Sequence, residues 1–152
     1  MWDEIVEHIS ASTGAAFRLA NARPVGGGCI NEAYRLDGDG GPFFAKLNRA
    51  DELEMFEAEA DGLRDIAATG TIRVPHPVCH GTSEGQAYLV MEHLELGGTG
   101  SQAELGQRLA KLHAVPQSNF GWRRDNTIGS TPQPNPASGD WGAFLREHRL
   151  GF

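Results

Sequence analysis

The stretch from 26 to 59 constrains this chain most. It opens with Gly26-Gly27-Gly28-Cys29-Ile30-Asn31 and passes through a strand-like run to Phe43-Phe44-Ala45-Lys46-Leu47-Asn48. It then continues into a helical run that reaches Glu57-Ala58-Glu59. A glycine-rich turn between two strands lets backbone N–H groups approach phosphate oxygens, because no Cβ stands in the way. A lysine on the next strand can reach those phosphates as a point charge, and a glutamate on the following helix can hold it there. No G-x-x-x-x-G-K-[ST] segment occurs, so the cradle is not of the Walker type.

Lys46 is one of two lysines, with Lys111, against eleven arginines. It sits among Phe43, Phe44, Ala45 and Leu47, which a strand would bury. A lysine there must send its head to solvent or meet a carboxylate. The plain alternative is an edge-strand lysine with a packed stem, and three glycines alone are also simply a hairpin loop. The glycine run upstream and the glutamate-rich helix downstream together favour the phosphate-binding reading.

The rest of the chain reads as alternating elements. Asp3 can cap a first helix with Ile5, Val6 and Ile9 on one face, ended by Gly14. Strands are expected over 17–25, 30–36 and 43–47, with Asp37-Gly38-Asp39-Gly40-Gly41 as a hairpin signal. Asp51 can cap a long helix whose Leu53, Phe56, Ala60, Leu63 and Ile66 form a 3.6-residue stripe. Glu59 falls on that stripe and needs a partner, for which Lys46 is the obvious candidate. Glu52, Glu54, Glu57 and Asp61 fall mostly elsewhere and read as a solvated face. After Val74-Pro75-His76-Pro77, two strands over 77–81 and 87–91 are joined by a turn at 83–86. Ser101-Gln102-Ala103-Glu104 is a capping box for a helix with Leu105, Leu109 and Leu112 on one face. Residues 119–139 read as a long irregular stretch that packs onto something through Phe120, Trp122 and Ile128. Asp140 caps a last helix carrying Trp141, Phe144 and Leu145.

Composition excludes several classes of function. A net charge of −7 argues against a nucleic-acid or anionic-membrane partner. No run of about 18 apolar residues is present to span a membrane. The N-terminus, Met1-Trp2-Asp3-Glu4, lacks a basic region and a long apolar run, so no signal peptide is expected and the cytoplasm is the expected location. Cys29 and Cys79 make no disulfide framework. His76, Cys79 and His80 do not share one strand face and have no further ligand cluster, so no metal site is read there. Arg124-Asp125-Asn126 lacks a preceding histidine and has Ser130 where a catalytic loop would want asparagine, so it reads as a turn.

Several stretches together resemble the fructosamine-3-kinase (ketosamine-3-kinase) family, a branch of the aminoglycoside phosphotransferase-like kinases. They are Gly26-Gly27-Gly28-Cys29-Ile30-Asn31, Phe44-Ala45-Lys46-Leu47-Asn48, Met55-Phe56-Glu57-Ala58-Glu59, Val74-Pro75-His76-Pro77, Leu89-Val90-Met91-Glu92-His93-Leu94, and Phe120-Gly121-Trp122 with Asp125-Asn126-Thr127-Ile128-Gly129. The resemblance implies an α+β fold. A protein-kinase-like N-lobe over 1–96, a five-stranded antiparallel sheet plus helix, would be followed over 97–152 by the first helices of an incomplete helical C-lobe. It implies ATP-dependent phosphorylation of the sugar 3-hydroxyl of a ketosamine, free or protein-bound, with ATP and Mg²⁺. By the same resemblance the glycine loop covers the phosphates. Lys46 holds the α- and β-phosphates with Glu59 as its partner, and backbone groups of Met91, Glu92, His93 and Leu94 meet the adenine.

One departure matters. The family's H-G-D-L-W-x-x-N catalytic loop and its following metal-binding aspartate do not occur in residues 1–152. The expectation is therefore the N-terminal half of such a kinase, with catalytic and metal-binding residues beyond Phe152 and no turnover by this chain alone. Another small-molecule phosphotransferase, acting on choline or an aminoglycoside, is the alternative within kinases. A non-catalytic, redox-responsive nucleotide-binding module is the alternative outside them. Cys29 supports that last reading. Its loop favours an anion, so its thiolate is expected to oxidise readily, including to a Cys29–Cys29 bridge between two chains. The plain alternative is a small inert residue that fits the turn.

Overall fold

The structure is a computed structural model that describes residues 1–27, 30–97 and 100–151. A five-stranded antiparallel sheet runs in the order β1-β2-β3-β5-β4, from β1 (Leu19–Pro24), β2 (Glu32–Gly38), β3 (Phe43–Arg49), β4 (Pro77–Ser83) and β5 (Gln86–Glu92). Helix α1 (Trp2–Thr13) covers one face and α2 (Leu53–Ala68) the other.

The continuous apolar run of β5 is explained by this sandwich. Side chains alternate along a strand. Tyr88 and Val90 therefore join Ile5, Ile9, Leu36, Ala45 and Leu47 beneath α1. Ala87, Leu89 and Met91 join Phe56 and Ala60 beneath α2. A strand buried on both faces has no polar side to alternate with.

The two helices start differently from the sequence expectation. Helix α1 begins at Trp2, so Asp3 lies inside its first turn and caps nothing. There its carboxylate favours the helix dipole instead. The amino group of Met1 pairs with Glu84, and Gly14 ends the helix as expected, with φ 70°. Helix α2 is entered through a 3₁₀ turn, Ala50–Glu52, and has no side-chain cap. Asp51 is not the cap because Arg49, two residues earlier, donates to both of its carboxylate oxygens, at 3.0 and 2.7 Å. The turn joining β4 and β5 places Glu84 at φ 48° and Gly85 at φ 81°. Positive φ at both central residues suits the two-residue connection of a twisted hairpin.

The C-terminal third holds more structure than its composition suggests. Helix α3 (Gln102–His113) starts at Ser101, whose hydroxyl accepts the Glu104 N–H at 3.3 Å. The other half of the expected capping box is missing, because the Glu104 carboxylate binds Arg108. No residue of α3 is buried. Residues 120–139 form a closed strap rather than an irregular loop. Strands β6 (Asn126–Ile128) and β7 (Thr131–Gln133) pair, and Phe120 and Ser138 exchange two backbone hydrogen bonds of 2.9 Å. A Cβ at Gly121, φ 101°, would lie 2.3 Å from the Pro136 carbonyl, so only glycine fits there. The Asp140 carboxylate caps α4 (Trp141–Leu145), accepting the Ala143 N–H at 2.8 Å. The helix runs into a π-helical turn, Arg146–Leu150. Phe144 is buried, whereas Trp141 is half exposed. No helix among the described residues is long and apolar enough to cross a membrane.

Candidate functional site

Alternation along β3 decides what Lys46 can do. Ala45 and Leu47 turn into the core beneath α1 and are 0 and 1 % exposed. Phe44, Lys46 and Asn48 therefore point to the other face, where α2 lies. Helix α2 in turn presents Glu59 between the sheet-facing Phe56 and Leu63. Lys46 Nζ donates to Glu59 Oε1 at 2.6 Å, with 27 and 29 % of the two side chains exposed. Both charges are thus paired, yet open enough for a ligand to reach the ammonium.

The strand before β3 brings the glycine turn to the same place. Gly27 has φ 119°, a conformation that L side chains rarely adopt, and a Cβ at Gly26 would meet open space. Gly28 and Cys29 lie outside the described residues. Ile30 is exposed, and Asn31 is fixed by Asn48, whose Nδ2 donates to Asn31 Oδ1 at 2.8 Å. Asn48 stands two residues after Lys46 on the same face, so it ties the stem of the glycine turn to the lysine strand. Sequence reasoning did not single out this role. A polar residue on the Phe44–Lys46 face was the available signal.

Met91, Glu92, His93 and Leu94 line a pocket of ≈ 450 Å³, with Val25 and Phe44 among its other walls. Its size and apolar walls suit a flat heterocycle. Phe44 lies two residues from Lys46 on one strand face, so their Cα atoms are roughly 7 Å apart along the strand. The Glu92 side chain is occupied elsewhere: it binds Arg73 and accepts the His76 N–H at 3.4 Å. The Nδ1 of His93 is buried without a hydrogen-bond partner, with Glu95 Oε1 3.6 Å away. A second cleft, of ≈ 570 Å³, borders Glu59 on its α2 side, between Ile30 and Asn31 and the strap residues Trp122, Asn126 and Thr127.

Two residues of the expected solvated face, Glu57 and Asp61, are bonded to Arg124 of the expected turn. Arg124 donates to Glu57 at 3.2 Å and to Asp61 at 3.0 Å. Trp122 Nε1 donates to Asp65 at 2.7 Å, and Arg123 pairs with the same carboxylate. The hydrogen bond from Arg124 holds the Asp61 carboxyl below the ordinary carboxylate range. Burial works against the charge on Arg124, but its bonds to Asp61 and Glu57 outweigh that and raise its pKa. Glu57 and Asp61 were misread because their partners come from more than sixty residues away, beyond any local pattern. The chain bends at 123–124 rather than over 124–126 as expected, because Asn126 begins a strand.

Cys79 is buried on β4, and burial pushes its thiol up to about 12, which makes it a poor nucleophile. Among the described residues no group of three His, Cys, Asp or Glu side chains could hold a metal ion.

Comparison with known proteins settles the family. The sequence profile described as Fructosamine kinase matches residues 1–152. The chain belongs to the fructosamine kinase family. It is 51 % identical over 154 residues to a probable ketoamine kinase of Synechocystis sp., covering 99 % of this chain and 52 % of that protein. It is 47 % identical over 145 residues to a chloroplastic protein-ribulosamine 3-kinase of Arabidopsis thaliana, covering 91 % of this chain and 44 % of that protein. A crystal structure assigned as a fructosamine-3-kinase, from Haemophilus somnus, superposes with a TM-score of 0.89 at 28 % identity, over 99 % of this chain and 52 % of that one. The chain thus spans about half the length of the curated relatives it matches. Its sheet and two covering helices are those of a kinase-like N-lobe, and the expected α+β class is the observed one.

Proposed function

We propose that this chain is the nucleotide-holding part of an ATP-dependent kinase that phosphorylates the sugar 3-hydroxyl of ketosamines. The observation that carries this reading is the Lys46–Glu59 pair at 2.6 Å, on the strand whose Phe44 also lines the Met91-to-Leu94 pocket. In this reading the pocket takes the adenine. Gly26, Gly27, Gly28, Cys29, Ile30 and Asn31 cover the phosphates, and Lys46 neutralises the α- and β-phosphates. Glu59 keeps the lysine stem extended, so the ammonium is aimed before the nucleotide arrives. A preorganised charge of this kind is most of what a protein contributes to phosphoryl transfer.

The acceptor class is supported by the names of the Synechocystis and Arabidopsis relatives. Residues 1–96 are the nucleotide lobe of this reading, and 97–152 begin the lobe that meets the acceptor. The group that positions the sugar hydroxyl lies outside residues 1–152. Mg²⁺ would shield charge on the phosphates; the described residues offer it no ligand cluster. A cytoplasmic site of action and a redox-sensitive Cys29 able to bridge two chains belong to the same proposal.

Calorimetric titration with MgADP tests the reading, using the gene product that carries this chain. Lys46→Met should weaken binding at least about tenfold, while stability changes by no more than about 1 kcal/mol, as for an ion pair near the surface. Undiminished affinity would remove Lys46 from the phosphate site.

A further inference from the structure

We propose that Arg124, supported by Trp122 and Arg123, is a positioning residue for the nucleotide site: it holds helix α2 from its outer side so that Glu59 stays on Lys46. This rests on the reading of Lys46 given above.

The geometry begins with residue spacing. Glu57, Asp61 and Asp65 are four residues apart, so they stand in one row on α2. Glu59 lies two residues from both Glu57 and Asp61, about 200° around the helix, and faces away from that row. The helix is therefore held by cations on two opposing sides. Lys46 pulls on Glu59 from the sheet. Three consecutive strap residues pull on the row: Arg124 on Glu57 and Asp61, and Arg123 with Trp122 on Asp65. The Phe56 and Ala60 contacts bury the sheet-facing side, but they are non-directional and leave rocking of α2 about its own axis lightly opposed.

A clamp works only if its anchor is stiff, and this one is. Asn135 is 4 % exposed, and its Nδ2 donates to the Arg124 carbonyl at 3.1 Å and to Asn126 Oδ1 at 2.8 Å. Its N–H donates to Asp125 Oδ1 at 2.7 Å, and its Oδ1 accepts from Arg149. The Arg124 backbone is thus fixed through a buried amide, not carried on a loose loop. Arg64 also reaches Asp61, at 3.2 Å, but it belongs to α2 itself and cannot fix the helix against anything else.

The test is a double-mutant cycle in the gene product that carries this chain, read by calorimetric titration with MgADP and by amide exchange over 55–63. Arg124→Gln should weaken MgADP about fivefold and speed exchange across 55–63. In a Lys46→Met background, Arg124→Gln should cost no further affinity, because its effect passes through the pair already lost. Wild-type affinity in Arg124→Gln, or full additivity with Lys46→Met, overturns the proposal and leaves the nucleotide reading standing. If Lys46→Met itself binds MgADP like wild type, the nucleotide reading falls. Exchange then decides the clamp alone, and unchanged exchange over 55–63 in Arg124→Gln overturns it.

Discussion

Lys46 shows how one residue's environment is set by strand parity. Its neighbours Ala45 and Leu47 are buried, yet it emerges on the opposite face and finds a carboxylate. The same principle of pairing governs Asp61, which faces Arg124, Arg123 and Arg64. Its folded pKa lies below its ordinary 3.8 because of the Arg124 hydrogen bond. A depressed carboxylate stabilises the fold above its unfolded pKa and loses that contribution as pH falls through its folded pKa. The melting-temperature difference between wild type and Asp61→Asn should therefore be constant at neutral pH and narrow below about pH 4. A gap that stays constant down to pH 2 would mean that Asp61 is not held by charge.

Among elements, α2 carries the most. One face buries Phe56 and Ala60 on the sheet, one residue aims Glu59, and the outer row holds the strap. Phe56 is fully buried, so Phe56→Ala should cost about 3–5 kcal/mol by lost burial and the cavity left behind. Urea unfolding measures this, and a loss under about 1 kcal/mol would mean that α2 docks by other contacts. The apolar stripe of α2 was legible because it repeats every turn. The strap was not, since β6 and β7 are three residues each and their closure depends on the buried Asn135.

For the molecule as a whole, apolar surface is distributed unevenly. The sheet and its helices bury theirs, while Leu105, Leu109, Trp141 and Leu150 are 50, 42, 50 and 75 % exposed. The sequence predicts a leucine face on α3, and among the described residues the fold leaves Leu105 and Leu109 of that face exposed. Isolated as residues 1–152, the chain should therefore self-associate at tens of micromolar, and Leu105→Gln with Leu109→Gln should shift it towards monomer. Sedimentation velocity reads both, and a monomer at every concentration would show that this surface is inert.

The parts governed by short-range rules could be read from the residues alone. Short alternating or wholly apolar runs between turns marked five strands, a 3.6-residue period marked the main helices, and glycine and proline placed the turns. A glutamate stranded on an apolar stripe pointed to the one lysine placed to meet it. Whatever depends on partners far along the chain emerged only in the folded molecule. Arg124 meets Glu57 and Asp61 across 67 and 63 residues, and Asn48 meets Asn31 across 17. A charge's partner is fixed by distance in space, and only the folded sheet, helix and strap bring these groups within hydrogen-bond reach.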